Sequence, residues 1–435
     1  MHPALKDLRL ATRGMIAVVG TAVLAGCGGG EKMAGPPPRE PAALQIQSGD
    51  SVRQFPGLAT FERQSVRLVD AAGDPVRRGG VRVAWTVVTG GGVVTVTEDT
   101  TTSQGVATAV WSMGAAEGLN ELRAEAQGLP PVTFRAWSVA PGPIVFVSGR
   151  SGFLGSEFEG YPGDLWVMKE DGSDVMPLFP PTQSIQVLTS PSWSPDGSKI
   201  LYFRSSTRPA GGVPGLLPEG MWTMRLDSLK ELQVPPGGIP FFVDFLRDPT
   251  WERTGIQIVA FLDAVGVQNI PAEVTPGQLH VMSSQGFGLT PIATPATTAR
   301  EPSWSPVADE LAFSCQVAST FDICAVDANG NNFRTLTSSA TDDTDPQWSP
   351  DGARIAFTRG AAPGGSVWVM DADGTNATEV VTGAFAPAWS PDGTRLLVTI
   401  ESGQRQDIYL VDLASGVMTN LTDSPFRDRE AHWRN

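Results

Sequence analysis

"DPQWSPDGARIAF", residues 345–357, reads as the end of one strand, a Pro-Asp-Gly turn and the start of the next. Pro350 presets φ at the first corner, Asp351 can bond to the local backbone, and Gly352 takes the positive φ that closes a hairpin. Near-copies stand at "PSWSPDGSKILYF" (191–203) and "PAWSPDGTRLLV" (387–398). Two further copies are degraded: "PTWERTGIQIVAF" (249–261) has lost Ser-Pro-Asp, and "PSWSPVADELAF" (302–313) has lost Asp-Gly. A Trp-Ser-Pro-Asp cluster invites Ser/Asp chemistry, but no His stands at a matching position. Recurrence in several copies is what a scaffold needs and an active site does not.

Working outward, Trp recurs at 193, 251, 304, 348, 389 and 433, with spacings of 58, 53, 44, 41 and 44 residues. After each of the first five comes an apolar run: "KILYF", "IQIVAF", "ELAFS", "RIAFT" and "RLLVT". A sixth, "IVFVS" (144–148), has no Trp before it. Another strand type also appears six times, as in "DLWVM" (164–168) and "SVWVM" (366–370), often followed by a polar turn such as "DADG" and a short last strand. The unit is a four-stranded antiparallel sheet that cannot bury both faces alone. Six such sheets stacked radially make a β-propeller. The chain starts this region at strand two and ends on "EAHWRN", a strand one, which predicts ring closure by the C-terminal strand. Residues 144–435 resemble the propeller of TolB and its WD-like relatives on these repeats. The α/β domain that precedes the propeller in TolB has no counterpart here.

Residues 43–140 carry alternating strands with a turn every ten or so residues, which predicts a β-sandwich of about 100 residues. Without a Cys pair its core must rest on Trp85, Trp111 and aliphatic side chains. "VDAAGDPV" (69–76), "VAWTVVTGGG" (83–92), "GVATAVW" (105–111) and "GLNELRAEA" (118–126) make it similar to bacterial Ig-like domains of the invasin/intimin type. That resemblance implies a spacer or an adhesive tip. The fold class is thus all-β, an Ig-like sandwich followed by a six-bladed propeller. The 48 Gly and 36 Pro in 435 residues agree.

The first segment differs. Lys6, Arg9 and Arg13 precede an apolar run, Met15–Ala25, that is too short to span a bilayer. It ends in "LAGC" (24–27), which resembles the lipobox of bacterial lipoproteins. The resemblance implies a signal peptide over 1–26 and acylation of Cys27, with Gly28 in place of Asp favouring the outer membrane. Residues 27–42 form a Gly/Pro-rich tether. The formal charge of −15 becomes −17 once the three cations and one anion of 1–26 are removed. Such a surface argues against nucleic acid and against charge-driven contact with anionic lipid. The remaining cysteines, Cys315 and Cys324, flank a hairpin tip. They are either bridged in an oxidising compartment or two buried thiols.

Only three His exist. His2 goes with the signal, His280 replaces a packing Trp of the repeat, and His432 adjoins Trp433, so a triad or His-rich metal site has little support. "DADG" (371–374) lacks the further ligands of a calcium loop. The better lead is topological. The turns between strands one and two, and three and four, lie on one face of the disc, while the long loops at 149–163, 205–220, 235–248 and 263–277 lie on the other. Phe241, Phe242 and Phe245 on that rim are candidate binding residues. Three residues before Trp stand Asp248, Glu301, Asp345 and Glu430, expected to ring the channel mouth, with Asp342, Asp343 and Asp428 nearby. They are a candidate site for a cation, Ca²⁺ included, or a basic peptide. No other cofactor is implied. The expected function is a non-catalytic, monomeric binding lipoprotein with an envelope or extracellular protein, peptide or glycan partner. The alternatives are a carbohydrate-active propeller enzyme, with a carboxylate pair at the mouth, or a surface adhesin.

Overall fold

The computed structural model describes residues 39–151, 163–179, 186–206, 220–234, 246–263, 277–316, 318–361 and 364–434. Among them there is no α-helix, and no helix long and apolar enough to cross a membrane. Cys27, Phe241, Phe242, Phe245 and most of the long rim loops lie outside the described residues.

The N-terminal part is two main sheets around one core, with a small two-stranded sheet of Val93–Val94 and Trp111–Ser112 beside them. Strands Ala43–Ser48, Gln64–Val69 and Val106–Ala109 form one; Val52–Gln54, Val132–Ser138, Gly118–Ala126, Arg82–Thr89 and Glu98–Thr100 form the other. Inward positions alternate along each strand, as in Phe134 and Ala136 against exposed Arg135 and Trp137. Trp85, Trp111, Leu122 and Phe134 centre the core, with the Trp85 and Phe134 rings 5.8 Å apart. The tryptophans expected to replace a disulfide do fill this interior.

From Ile144 the described residues form six four-stranded antiparallel sheets in succession. Each has the same order, for example Asp343–Trp348, Arg354–Arg359, Ser366–Asp371 and Thr378–Thr382 in the fifth. The middle of each second strand is a continuous apolar run because neighbouring sheets cover both its faces. Ile144, Val145, Phe146 and Val147 are all buried. The last strand, Asp428–Trp433, pairs with Ile144–Ser148 in the register Ile144↔Trp433 and Ser148↔Asp428, closing the ring as expected.

Successive sheets share cores. Phe357 and Ile355 of the fifth pack with Ala312 and Ile323 of the fourth, and Trp389 and Val398 of the sixth with Val367 and Val369 of the fifth. Cys315 and Cys324, on adjacent strands of the fourth sheet, are bridged, with Cα atoms 5.8 Å apart and no exposure.

Candidate functional site

Every first strand of the propeller is broken at the same place. Ladder register slips between Thr189 and Ser192, Arg247 and Thr250, Arg300 and Ser303, Thr344 and Gln347, and Phe385 and Ala388, and opposite Val145–Val147 in the closing strand. The residue three before Trp takes a left-handed φ in all six: Ser190 (52°), Asp248 (48°), Glu301 (53°), Asp345 (52°), Ala386 (50°) and Glu430 (52°). A left-handed conformation costs a residue with a Cβ about 1 kcal/mol, so six copies mark a required β-bulge. In five of them the next residue is Pro, which has no N–H to leave unpaired where the ladder opens. The x-Pro-x-Trp spacing carries this signal in the sequence, although the sign of φ cannot be read from it.

The bulges line the axis in layers. Ser190, Asp248, Glu301, Asp345, Ala386 and Glu430 surround a cavity of about 380 Å³. A second cavity of about 230 Å³ is lined by all six repeat tryptophans and by Pro195, Pro306 and Pro350 of the turns. Ser192, Thr250, Gln347, Ala388 and His432 line both, so one channel runs from the acidic mouth to the tryptophan end. Asp248, Glu301, Asp345 and Glu430 all meet in one cavity.

They do not have equal roles. Glu301 pairs with Arg300 at 3.3 Å, and its Oε2 accepts Ser314 Oγ at 2.6 Å and the backbone N–H of Asp345 at 3.1 Å. Glu430 pairs with Arg429 at 2.9 Å and accepts the N–H of Ser190 at 2.7 Å. Each glutamate thus clasps the bulge of the next sheet. The shorter aspartates reach no such partner. Among the described residues Asp248 accepts Ser190 Oγ at 3.1 Å and no other hydrogen bond, and no ion pair reaches Asp248 or Asp345. Both are half-buried, and the channel withdraws them from bulk water. That withdrawal, then the charge of Glu301, pushes Asp248 up to about 7, against the Ser190 hydrogen bond. Asp345 is raised well above its ordinary value by burial, Glu301 and Asp248.

The other acids noted in the sequence are structural. Asp343, fully buried, takes Arg359 at 2.7 and 2.9 Å, and Asp428, also buried, takes Arg150 at 2.8 Å. Asp342 accepts the N–H of Phe321. Among the described residues no group of three or more His, Cys, Asp or Glu side chains is placed to hold a metal ion.

The Trp-Ser-Pro-Asp-Gly turns are built as turns. Asp351 accepts Ser349 Oγ at 2.6 Å and Ala353 N–H at 3.0 Å, and Gly352 has φ 67°. In Asp196 and Asp392 the same serine and backbone bonds hold the carboxyl down at about 2. The tryptophans reach between sheets: Trp251 Nε1 donates to Ser192 O at 3.3 Å and Trp389 Nε1 to Gln347 O at 3.0 Å. On the turn face Arg354, Arg395 and Arg434 stack over Trp389, Trp433 and Trp193. His280 is buried with Nδ1 against Gln278 O. Burial holds it below its ordinary value, and takes His432 down to about 4, so both are neutral at pH 7.

Solved structures similar to this one include TolB from Acinetobacter baumannii, at TM-score 0.51 and 15% identity over 84% of each chain. The fold is that of a TolB-type β-propeller. A chain of the nidogen/laminin complex aligns at TM-score 0.50 and 10% identity over 67% of this chain and 98% of its own. A putative TolB from Agrobacterium tumefaciens aligns at 0.46 and 16% identity over 64% and 87%. No family model and no curated protein matches the sequence.

Proposed function

We propose that this chain is a non-catalytic binding protein of the bacterial envelope, whose TolB-like, six-bladed propeller docks a protein or peptide partner by taking a positively charged side chain into the acidic channel mouth. The observation that carries the reading is the division among the four carboxylates. Glu301 and Glu430 are committed to holding the ring together, whereas Asp248 and Asp345 face the cavity and, among the described residues, no ion pair reaches either, Arg300 nearby being paired with Glu301. A lysine or arginine from a partner would supply the missing counter-charge in a low-dielectric recess, where such a pair is stronger than at an open surface. Ca²⁺ is the lesser version of the same idea, since among the described residues no three carboxylates gather as metal ligands.

The sandwich, read as a bacterial Ig-like module, serves as the spacer, and Cys27 as the lipid anchor to the outer membrane, where acyl chains contribute about 0.8 kcal/mol per buried methylene. Full-length wild type and Asp248→Asn/Asp345→Asn, expressed in cells fed labelled palmitate, test these parts together. Label on Cys27 and partner recovery only with wild type support the reading. Equal recovery with both chains removes the mouth as the site, and no label removes the anchor.

A further inference from the structure

The sandwich ends in a small knuckle, "QFPGL" (54–58), that is pinned at both ends before it touches anything else. Gln54, fully buried, donates from Nε2 to Ala59 O at 2.7 Å and accepts Phe55 N–H on Oε1 at 2.8 Å. Gly57 N–H bonds to Gly114 O, Met113 N–H to Leu58 O, and Val139 N–H to Gln54 O. The φ of 77° at Gly57 closes the bend. Thus held, Phe55 is only 2% exposed, yet it is not part of the sandwich core. It belongs instead to one cluster with Val145, Val167, Leu178 and Trp193, the shared core of the first two propeller sheets, against which Leu58 and Val139 also pack. Next to it Arg53 pairs with Asp174, which also takes Lys169 at 2.6 Å.

Asp174 and Lys169 sit in the turn between strands three and four of the first sheet, on the turn face of the disc. The chain also enters the propeller there, because Ile144 pairs with Trp433. The acidic mouth opens on the opposite face. At the other end of the sandwich, Ala43 pairs with Val69, whereas Gln64 at the near end pairs with Ala109, just before Trp111 and Met113. We infer that the Phe55 knuckle locks the sandwich rigidly to the turn face, so that the mouth is held pointing away from the end of the sandwich at which the chain enters. The sandwich is then an orienting mount and not a loose stalk. The inference concerns direction only, so it stands or falls separately from what the mouth binds.

Spin labels on Thr133→Cys and Glu379→Cys, in the full chain with Cys27→Ser, give the distance between the two parts. One narrow distance distribution is expected. It should broaden at least twofold with Phe55→Ser and also with Arg53→Glu, and the Arg53→Glu/Asp174→Arg pair should narrow it again. Circular dichroism identical to the parent identifies variants that fold. A broad distribution in the parent overturns the rigid mount. A distribution that stays narrow in folded Phe55→Ser and Arg53→Glu chains overturns the knuckle as its cause.

Discussion

Asp248→Asn should stabilise the protein at pH 8 and remove part of its response to acid. Asp248 titrates at about 7 in the fold because it is withdrawn from water and faces Glu301 and Glu430, whereas an unfolded Asp titrates near 3.9. The folded chain therefore binds the extra proton first. The stabilisation from that proton is complete below about pH 4 and is lost as the pH rises through 7. Each pH unit between the two values corresponds to about 1.4 kcal/mol, giving an upper bound of about 4 kcal/mol. Asp248 is only half-buried, so solvent screens part of the repulsion, and about half, ~2 kcal/mol, is expected. Asp345 acts in the same direction. His432 and His280 act oppositely, since burial keeps them neutral and an unfolded His takes a proton below about 6.5. Both histidines remain in the variant and cancel in the difference between the two chains, which reads the loss of the Asp248 charge together with the relief it gives Asp345. The assay is urea denaturation of wild type and Asp248→Asn at pH 8, 6.5 and 5. The variant should be the more stable by ~2 kcal/mol at pH 8, with the gap shrinking towards pH 5. A gap independent of pH, or a variant less stable at pH 8, would refute the reasoning.

Other outcomes follow from the same geometry. Arg359→Ala strands the buried Asp343 carboxylate and should cost about 3–5 kcal/mol, read as a lowered urea midpoint. Trp348→Ala, which empties a buried inter-sheet position, should cost a similar ~3–5 kcal/mol and leave ligand affinity at the mouth unchanged in the chains that fold. Cys315→Ser/Cys324→Ser closes no loop and should cost about 2–3 kcal/mol. Intact mass of the unreduced wild type, two mass units below the reduced form, checks the bridge itself.

The propeller was readable because its repeat unit announces itself in residues whose backbone demands are local. Pro350 and Gly352 set a turn, a Trp in the place of Trp348 returns at each first strand, and the doubly covered second strands have a continuous apolar run at their centre. Asp248, Glu301, Asp345 and Glu430 could be placed at the mouth because they share one repeat position. Their division of labour could not be read. It depends on a bulge at non-glycine residues and on side-chain reach: one more methylene lets glutamate reach the N–H of the next sheet, and aspartate falls short. Phe55 was likewise silent, since a Phe in a turn says nothing of which core it enters until the tertiary contact exists. The rim residues Phe241, Phe242 and Phe245 lie outside the described residues, and their part in binding rests on the sequence alone.

The central claim is that Asp248 and Asp345 make the channel mouth a receptor for positive charge. Calorimetric titration of an arginine-containing peptide into the full chain at pH 8, against Asp248→Asn/Asp345→Asn, tests it most directly. Glu170→Gln/Asp171→Asn, on the turn face, serves as a control of equal net charge. Wild type and the turn-face control should bind alike, and the mouth variant at least about tenfold more weakly, a difference of about 1.4 kcal/mol. Equal affinity in all three chains, or an equal loss in both variants, would contradict the claim.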